Sequence, residues 1–168
     1  MTRIFKTTDG EINIGFSLDT SVVSLGELPC ISTQQFVGHA TLALLEIIPH
    51  LDTDTREEWA AAILGVAERI GSLSLIEPAE DRIDAASRNR VGIISTPFSY
   101  EWSPFTVAPD RETVIFMMPD AGPRHVLSSN QFYALVVDGI IASMGWNGQT
   151  YQEVKDAATT LEDALLSS

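Results

Sequence analysis

Cysteine is nearly missing from this chain, with Cys30 the only one in 168 residues. An intrachain disulfide and a cysteine-based zinc cluster are therefore excluded, and a single thiol fits a reducing compartment. No run of about 18 apolar residues occurs, so no membrane-spanning helix is expected. The first twenty residues hold Arg3, Lys6, Asp9 and Glu11 and no apolar run, which argues against a signal peptide. The expectation is a soluble, cytoplasmic protein. Basic residues are scarce as well: 10 Lys and Arg stand against 23 Asp and Glu, for a net charge of −13. A field of that sign repels phosphate backbones and attracts cationic surfaces. Direct nucleic-acid binding is disfavoured, and a basic protein surface is the favoured partner.

Signature motifs are absent too. The chain has no Gly-x-Ser-x-Gly elbow, no Ser-x-x-Lys, no phosphate-cradling glycine loop, no dinucleotide fingerprint and no His-Glu-x-x-His. No residue pattern names a reaction or implies a cofactor. Asp52-x-Asp54 with Glu57 and Glu58 has the carboxylate density that hard cations require, but a calcium loop needs an oxygen ligand where Arg56 stands and a glycine where Glu57 stands. A solvated acidic helix start explains these residues better than a metal site.

What is present is enough apolar material for a substantial core. With 45% hydrophobic and 20% charged residues the chain is of ordinary globular composition. At this length it reads as one domain over 1–168, burying roughly 70% of its unfolded surface. Arg3 to Thr7 and Glu11 to Asp19 flank a Thr8-Asp9-Gly10 turn, whose Asp-Gly pair supplies the positive φ angles of a tight turn, and predict a β-hairpin. Ser21 to Leu25 predicts a third strand, which Pro29 would bring to an end.

Ser32 and Gln35 form a capping box, flanked by Ile31 and Phe36, and open a helix so apolar from Phe36 to Ile48 that it should be surrounded by protein. Pro49 stops it. Asp54 with Glu57 predicts the next helix start, with Trp59, Ile63, Val66 and Ile70 on its apolar stripe and Arg56, Glu57, Glu68 and Arg69 off it. The charged segment 77–90 reads as a short exposed helix or a linker. Val91 to Ser95, Phe98 to Trp102 and Thr113 to Met118 read as short strands punctuated by five prolines. Ser128 with Gln131 opens a second apolar helix, and Thr150 with Glu153 a second acidic one with Tyr151, Val154, Ala158, Leu161 and Leu165 on its stripe.

The fold class is therefore α+β: one mainly antiparallel sheet covered by two helical hairpins, in the order strands, αα, strands, αα. Ser32, Gln35, Phe36, Glu57, Ala61 and Ala62 recur 96 residues later as Ser128, Gln131, Phe132, Glu153, Ala157 and Ala158. That spacing admits a pseudo-repeat of 1–76 and 91–168 joined by 77–90.

Two functional readings follow. In the first, an acidic, non-enzymatic interaction protein binds a basic partner and inhibits, chaperones or neutralises it, as immunity proteins, phage inhibitors and DNA mimics do. Its contact residues are the carboxylates Asp52, Asp54, Glu57 and Glu58 together with Glu101 and Trp102 on an aromatic strand edge. In the second, a small-molecule pocket or small enzyme site lies where strands 91–124 meet the helices, with Arg111, Arg124 and His125 as polar contacts. His125 is the most loop-like of the three histidines. His39 is read as structural, with Gln35 one turn away, and His50 as a partner for a helix C-terminus. A homodimer is compatible with either reading.

Overall fold

The computed structural model describes residues 2–7, 10–17, 22–25, 28–76, 105–116, 125–144 and 148–167. The expected elements over 77–103, including Phe98, Tyr100, Glu101 and Trp102, lie outside the described residues, as do Arg124 and Trp146. Within them the protein is α+β, and no helix is long and apolar enough to cross a membrane.

The chain opens as a meander of four antiparallel strands, β1 (Thr2–Thr7), β2 (Gly10–Ser17), β3 (Val22–Leu25) and β4 (Leu28–Ser32), neighbouring one another in sequence order. Thr7 pairs with Gly10, so the first hairpin forms, but Gly10 opens β2 instead of lying in the turn where the Asp-Gly pair was expected to hold it. Ile14, on the apolar side of the β2 alternation, is buried. Pro29 does not end the sheet. It sits inside β4 where the register against β3 slips at Ser24 and Leu25, so its missing N–H removes no regular ladder bond.

From β4 the chain passes directly into α1 (Thr33–Ile47), a 3-10 turn Ile48–His50 containing Pro49, and α2 (Thr53–Gly71), ending in β5 (Ser74–Ile76). The second part has a three-stranded antiparallel meander, β6 (Phe105–Val107), β7 (Thr113–Phe116) and β8 (His125–Ser128), then α3 (Ser129–Met144), β9 (Gln149–Tyr151) and α4 (Gln152–Leu166). Strands β6 and β8 were not expected. Nor was the parallel pairing of β5 with β9, which joins residues far apart in sequence and leaves no local turn signature.

The antiparallel strands lie against α1 and α3, and β1 runs beside β8. Helices α2 and α4 form a further layer, α4 packing along both α1 and α2. Most helix packing thus crosses between the two parts of the chain. One contiguous core contains Phe36, Leu44 and Ile47 of α1, Trp59 and Ile63 of α2, Phe132 and Val136 of α3, and Leu161 and Leu165 of α4. Helix α1 is central, as its composition implied, although Leu42 remains 52% exposed and Glu46 also faces solvent. Its His39 is buried.

Helix starts follow local chemistry unevenly. At α3 the capping box is complete in both directions: Gln131 N donates to Ser128 Oγ at 3.1 Å and Ser128 N to Gln131 Oε1 at 2.9 Å. At α2 the cap is Asp52, not Asp54. The Asp52 carboxylate accepts from Thr55 N at 2.7 Å, and Asp54 falls in the first turn. At α4 the expected cap Thr150 lies in β9 instead, and its Oγ1 is buried with no hydrogen-bond partner among the described residues.

That hydroxyl is a defect with a simple remedy. An unsatisfied buried hydroxyl costs roughly 1–3 kcal/mol, and valine is nearly isosteric with threonine and favours strands. Thr150→Val is therefore expected to stabilise the protein by about 1 kcal/mol, or about 2–4 °C in melting temperature. Thermal unfolding followed by circular dichroism checks it, and a lower melting temperature would show that the hydroxyl has a partner in solution.

Candidate functional site

The carboxylates singled out from the sequence gather on the first two turns of α2. Asp52, Asp54, Glu57 and Glu58 are all exposed. Acidic residues belong at this end of a helix, where the unpaired backbone N–H groups carry partial positive charge. For Asp52 the effect is direct: the hydrogen bond from Thr55 N holds its carboxyl below the usual carboxylate range. None of the other three is ion-paired among the described residues.

The base that should neutralise them is turned the other way. Arg56 lies among these four acids in sequence, yet its guanidinium donates to backbone carbonyls: Nη2 to Ile48 O at 2.8 Å, and Nη1 to Ser167 O at 2.8 Å and Ala164 O at 3.4 Å. It thereby ties the start of α2 to the 3-10 turn that follows α1 and to the C-terminal end of α4, where unpaired carbonyls carry partial negative charge. This corrects the reading of Arg56 as part of the wet side. The signal was available, since Arg56 stands seven residues before Ile63 on the buried stripe of α2.

Helix α2 is held firmly in this orientation. The Trp59 ring stacks on Tyr133 of α3 with centroids 4.1 Å apart and planes 1° from parallel. Trp59 Nε1 donates to Asn130 Oδ1 at 2.9 Å, and the Tyr133 hydroxyl donates to Trp59 O at 2.6 Å. Both aromatic side chains are buried with their polar atoms satisfied, and burial pushes the Tyr133 phenol well up. At the opposite end, Ser74 N donates to Gly148 O at 3.2 Å beside the β5–β9 pair. α2 and α4 therefore run antiparallel, which puts exposed Asp163 of the last turns of α4 at the same end of the molecule as Asp52 to Glu58.

No family model, curated protein or solved structure matches this chain. Its role has to be read from placement and charge.

The residues of the alternative pocket are not brought together in the same way. Arg111 occupies the turn between β6 and β7, in the left-handed region at φ 60°. Asp110 braces that turn, accepting from Glu112 N at 2.9 Å and Thr113 Oγ1 at 3.2 Å. The Arg111 guanidinium meets Glu46 of α1 at 3.2 Å, a half-exposed pair worth at most about 1 kcal/mol. His125 is in β8 rather than a loop, paired across the ladder with Phe116 and with its ring 6.1 Å from that of Phe116. Because Thr113 pairs with Ser128 and Phe116 with His125, Arg111 lies beyond one end and His125 at the other end of a ladder that is itself about 10 Å long. Nδ1 of His125 is buried without a hydrogen-bond partner among the described residues. Among the described residues, no group of three or more His, Cys, Asp or Glu is placed to hold a metal ion.

Proposed function

We propose that this is a cytoplasmic, non-enzymatic interaction module that docks its acidic α2 end on a basic surface of another protein and thereby inhibits, chaperones or neutralises it. One observation carries the reading. Asp54, Glu57 and Glu58 are exposed and have no counter-ion among the described residues, Arg56, the base among them, being spent on the carbonyls of Ile48, Ala164 and Ser167. Unscreened like charge on a rigid helix end speeds encounter with a cationic target and suppresses wrong partners. The chain's overall charge of −13 extends that field beyond the patch.

The test compares capture of partners from native lysate by the wild-type protein and by a Glu57→Lys, Glu58→Lys variant. Both side chains are exposed and unpaired among the described residues, so the variant should fold normally. Capture by the wild-type protein should fall at least about ten-fold between roughly 0.05 M and 0.5 M salt, as screening shortens to a few ångströms. The variant should already be weakened about ten-fold at low salt. Capture insensitive to salt and to both reversals would remove the electrostatic mechanism.

A further inference from the structure

The solvent face of α2 carries a pattern more specific than its charge. Trp59, Ala60, Ile63 and Ile70 turn inward, which leaves Glu57, Glu58, Ala61, Leu64, Gly65 and Glu68 exposed on the opposite side. On a helical period these form one ridge, with acids on the first turns, a waist of Ala61, Leu64 and Gly65 in the middle, and Glu68 closing it one turn later. Glu57 and Glu68 are eleven residues apart, or about 16 Å along the axis. Leu64 is 44% exposed. A Cβ built on Gly65 would meet no atom within 4 Å, so nothing among the described residues requires glycine there. A glycine in a helix interior nonetheless costs about 1 kcal/mol relative to alanine.

Resting on the functional reading above, we infer that this ridge seats a helix of the partner protein: an amphipathic segment whose large apolar side chains enter the waist at Ala61, Leu64 and Gly65, and whose lysines or arginines on either side meet Glu57, Glu58 and Glu68. Charge complementarity selects this occupant. A second copy of the chain would set acids against acids, whereas a cationic helix neutralises both ends of the ridge. The small side chains at Ala61 and Gly65 let a helix backbone approach closely, and Leu64 supplies apolar contact at the centre. Arg69, the exposed base of α2, lies in the last turn, where it complements the helix C-terminus.

The probe is a pair of synthetic 18-residue peptides of identical leucine and lysine composition. One is ordered so that a helix gathers the leucines on one face, and the other is scrambled to disperse them. Binding is measured by fluorescence anisotropy at low salt and mapped by amide chemical shifts. The amphipathic peptide should bind at least ten-fold more tightly than the scrambled one, with shifts centred on Ala61 to Glu68. Gly65→Leu, whose Cβ has open space among the described residues, fills the waist and should abolish that preference; Gly65→Ala, which keeps the waist shallow, should retain it. Equal, salt-sensitive binding of both peptides, unaffected by Gly65→Leu, would overturn the waist while leaving the acidic docking end in place. Failure of both peptides to bind at low salt would overturn the docking end and the waist together.

Discussion

Replacing Phe105 with alanine is expected to remove about 3–5 kcal/mol of stability, a large share of the roughly 5–15 kcal/mol that holds a domain of this size together. Phe105 comes from the short strand β6, yet its ring joins three other elements. It lies edge-on to Phe36 of α1 at 5.6 Å and to Phe132 of α3 at 4.9 Å, and is tilted against Phe116 of β7 at 5.4 Å. Phe36, Phe116 and Phe132 are fully buried and Phe105 is 5% exposed, so the vacated space has little freedom to collapse. The cost therefore combines lost transfer energy, three aromatic contacts and a residual cavity. Chemical denaturation should show the midpoint moving with little change in slope, and the melting temperature should fall by about 6–20 °C. Phe105→Leu, which keeps much of the volume, should cost markedly less. A loss under about 1 kcal/mol for the alanine variant would mean that the four rings are not the joint between meander and helices.

This joint illustrates which parts of the fold could be read in advance. The four helices announced themselves through apolar spacing and, at Ser128 and Gln131, through a capping box that forms as written. Local chemistry could not choose between Asp52 and Asp54, because either carboxylate can cap a helix; the choice goes to the residue whose backbone is still extended, and that is Asp52. Thr150 looked like a cap for the same reason. The pairing of β9 with β5 drew it into a strand, a long-range outcome that overrides a local preference. Phe105 escaped notice, and His125 was read as a loop residue, because β6 and β8 are three and four residues long and stand beside prolines or charged neighbours. Strands that short carry too little alternation to be distinguished from loops.

The candidate site divides along the same line. That Asp52 to Glu58 would form an exposed acidic helix start needed only the sequence, since the residues are consecutive turns of one helix. That they would lack a counter-ion depended on Arg56 finding carbonyls contributed by residues 164 and 167, from the far end of the chain. No spacing rule within α2 encodes that partner. Leu64 and Gly65 were legible only as interruptions of an amphipathic pattern, and their grouping into a waist between acids follows from the direction in which α2 packs on α4.

Acid should weaken this protein before its carboxylates begin to titrate, and His39 is the reason. Burial in α1 lowers its pKa from the ordinary 6.5 to about 4, because the imidazolium would have to be accommodated in the core with little water. Between those two values the unfolded chain binds a proton that the folded chain refuses. His39 therefore costs no stability above pH 6.5. Stability falls progressively as the pH drops from 6.5 towards 4, and this group contributes no further loss below that. The full interval corresponds to about 3 kcal/mol, and water entry and local relaxation are expected to reduce it to about 2 kcal/mol. Asp52, whose carboxyl is held below its usual range, acts in the same direction but only once the pH falls through the normal carboxylate value. The measurement is denaturant unfolding at pH 7 and pH 4.5 for the wild-type protein and for His39→Gln, which retains a donor and an acceptor but cannot take up the proton. The wild-type protein should lose about 2 kcal/mol more than the variant between the two pH values. Equal losses would mean that His39 is protonated in the folded protein at pH 4.5, and that α1 is wetter at its centre than its packing implies.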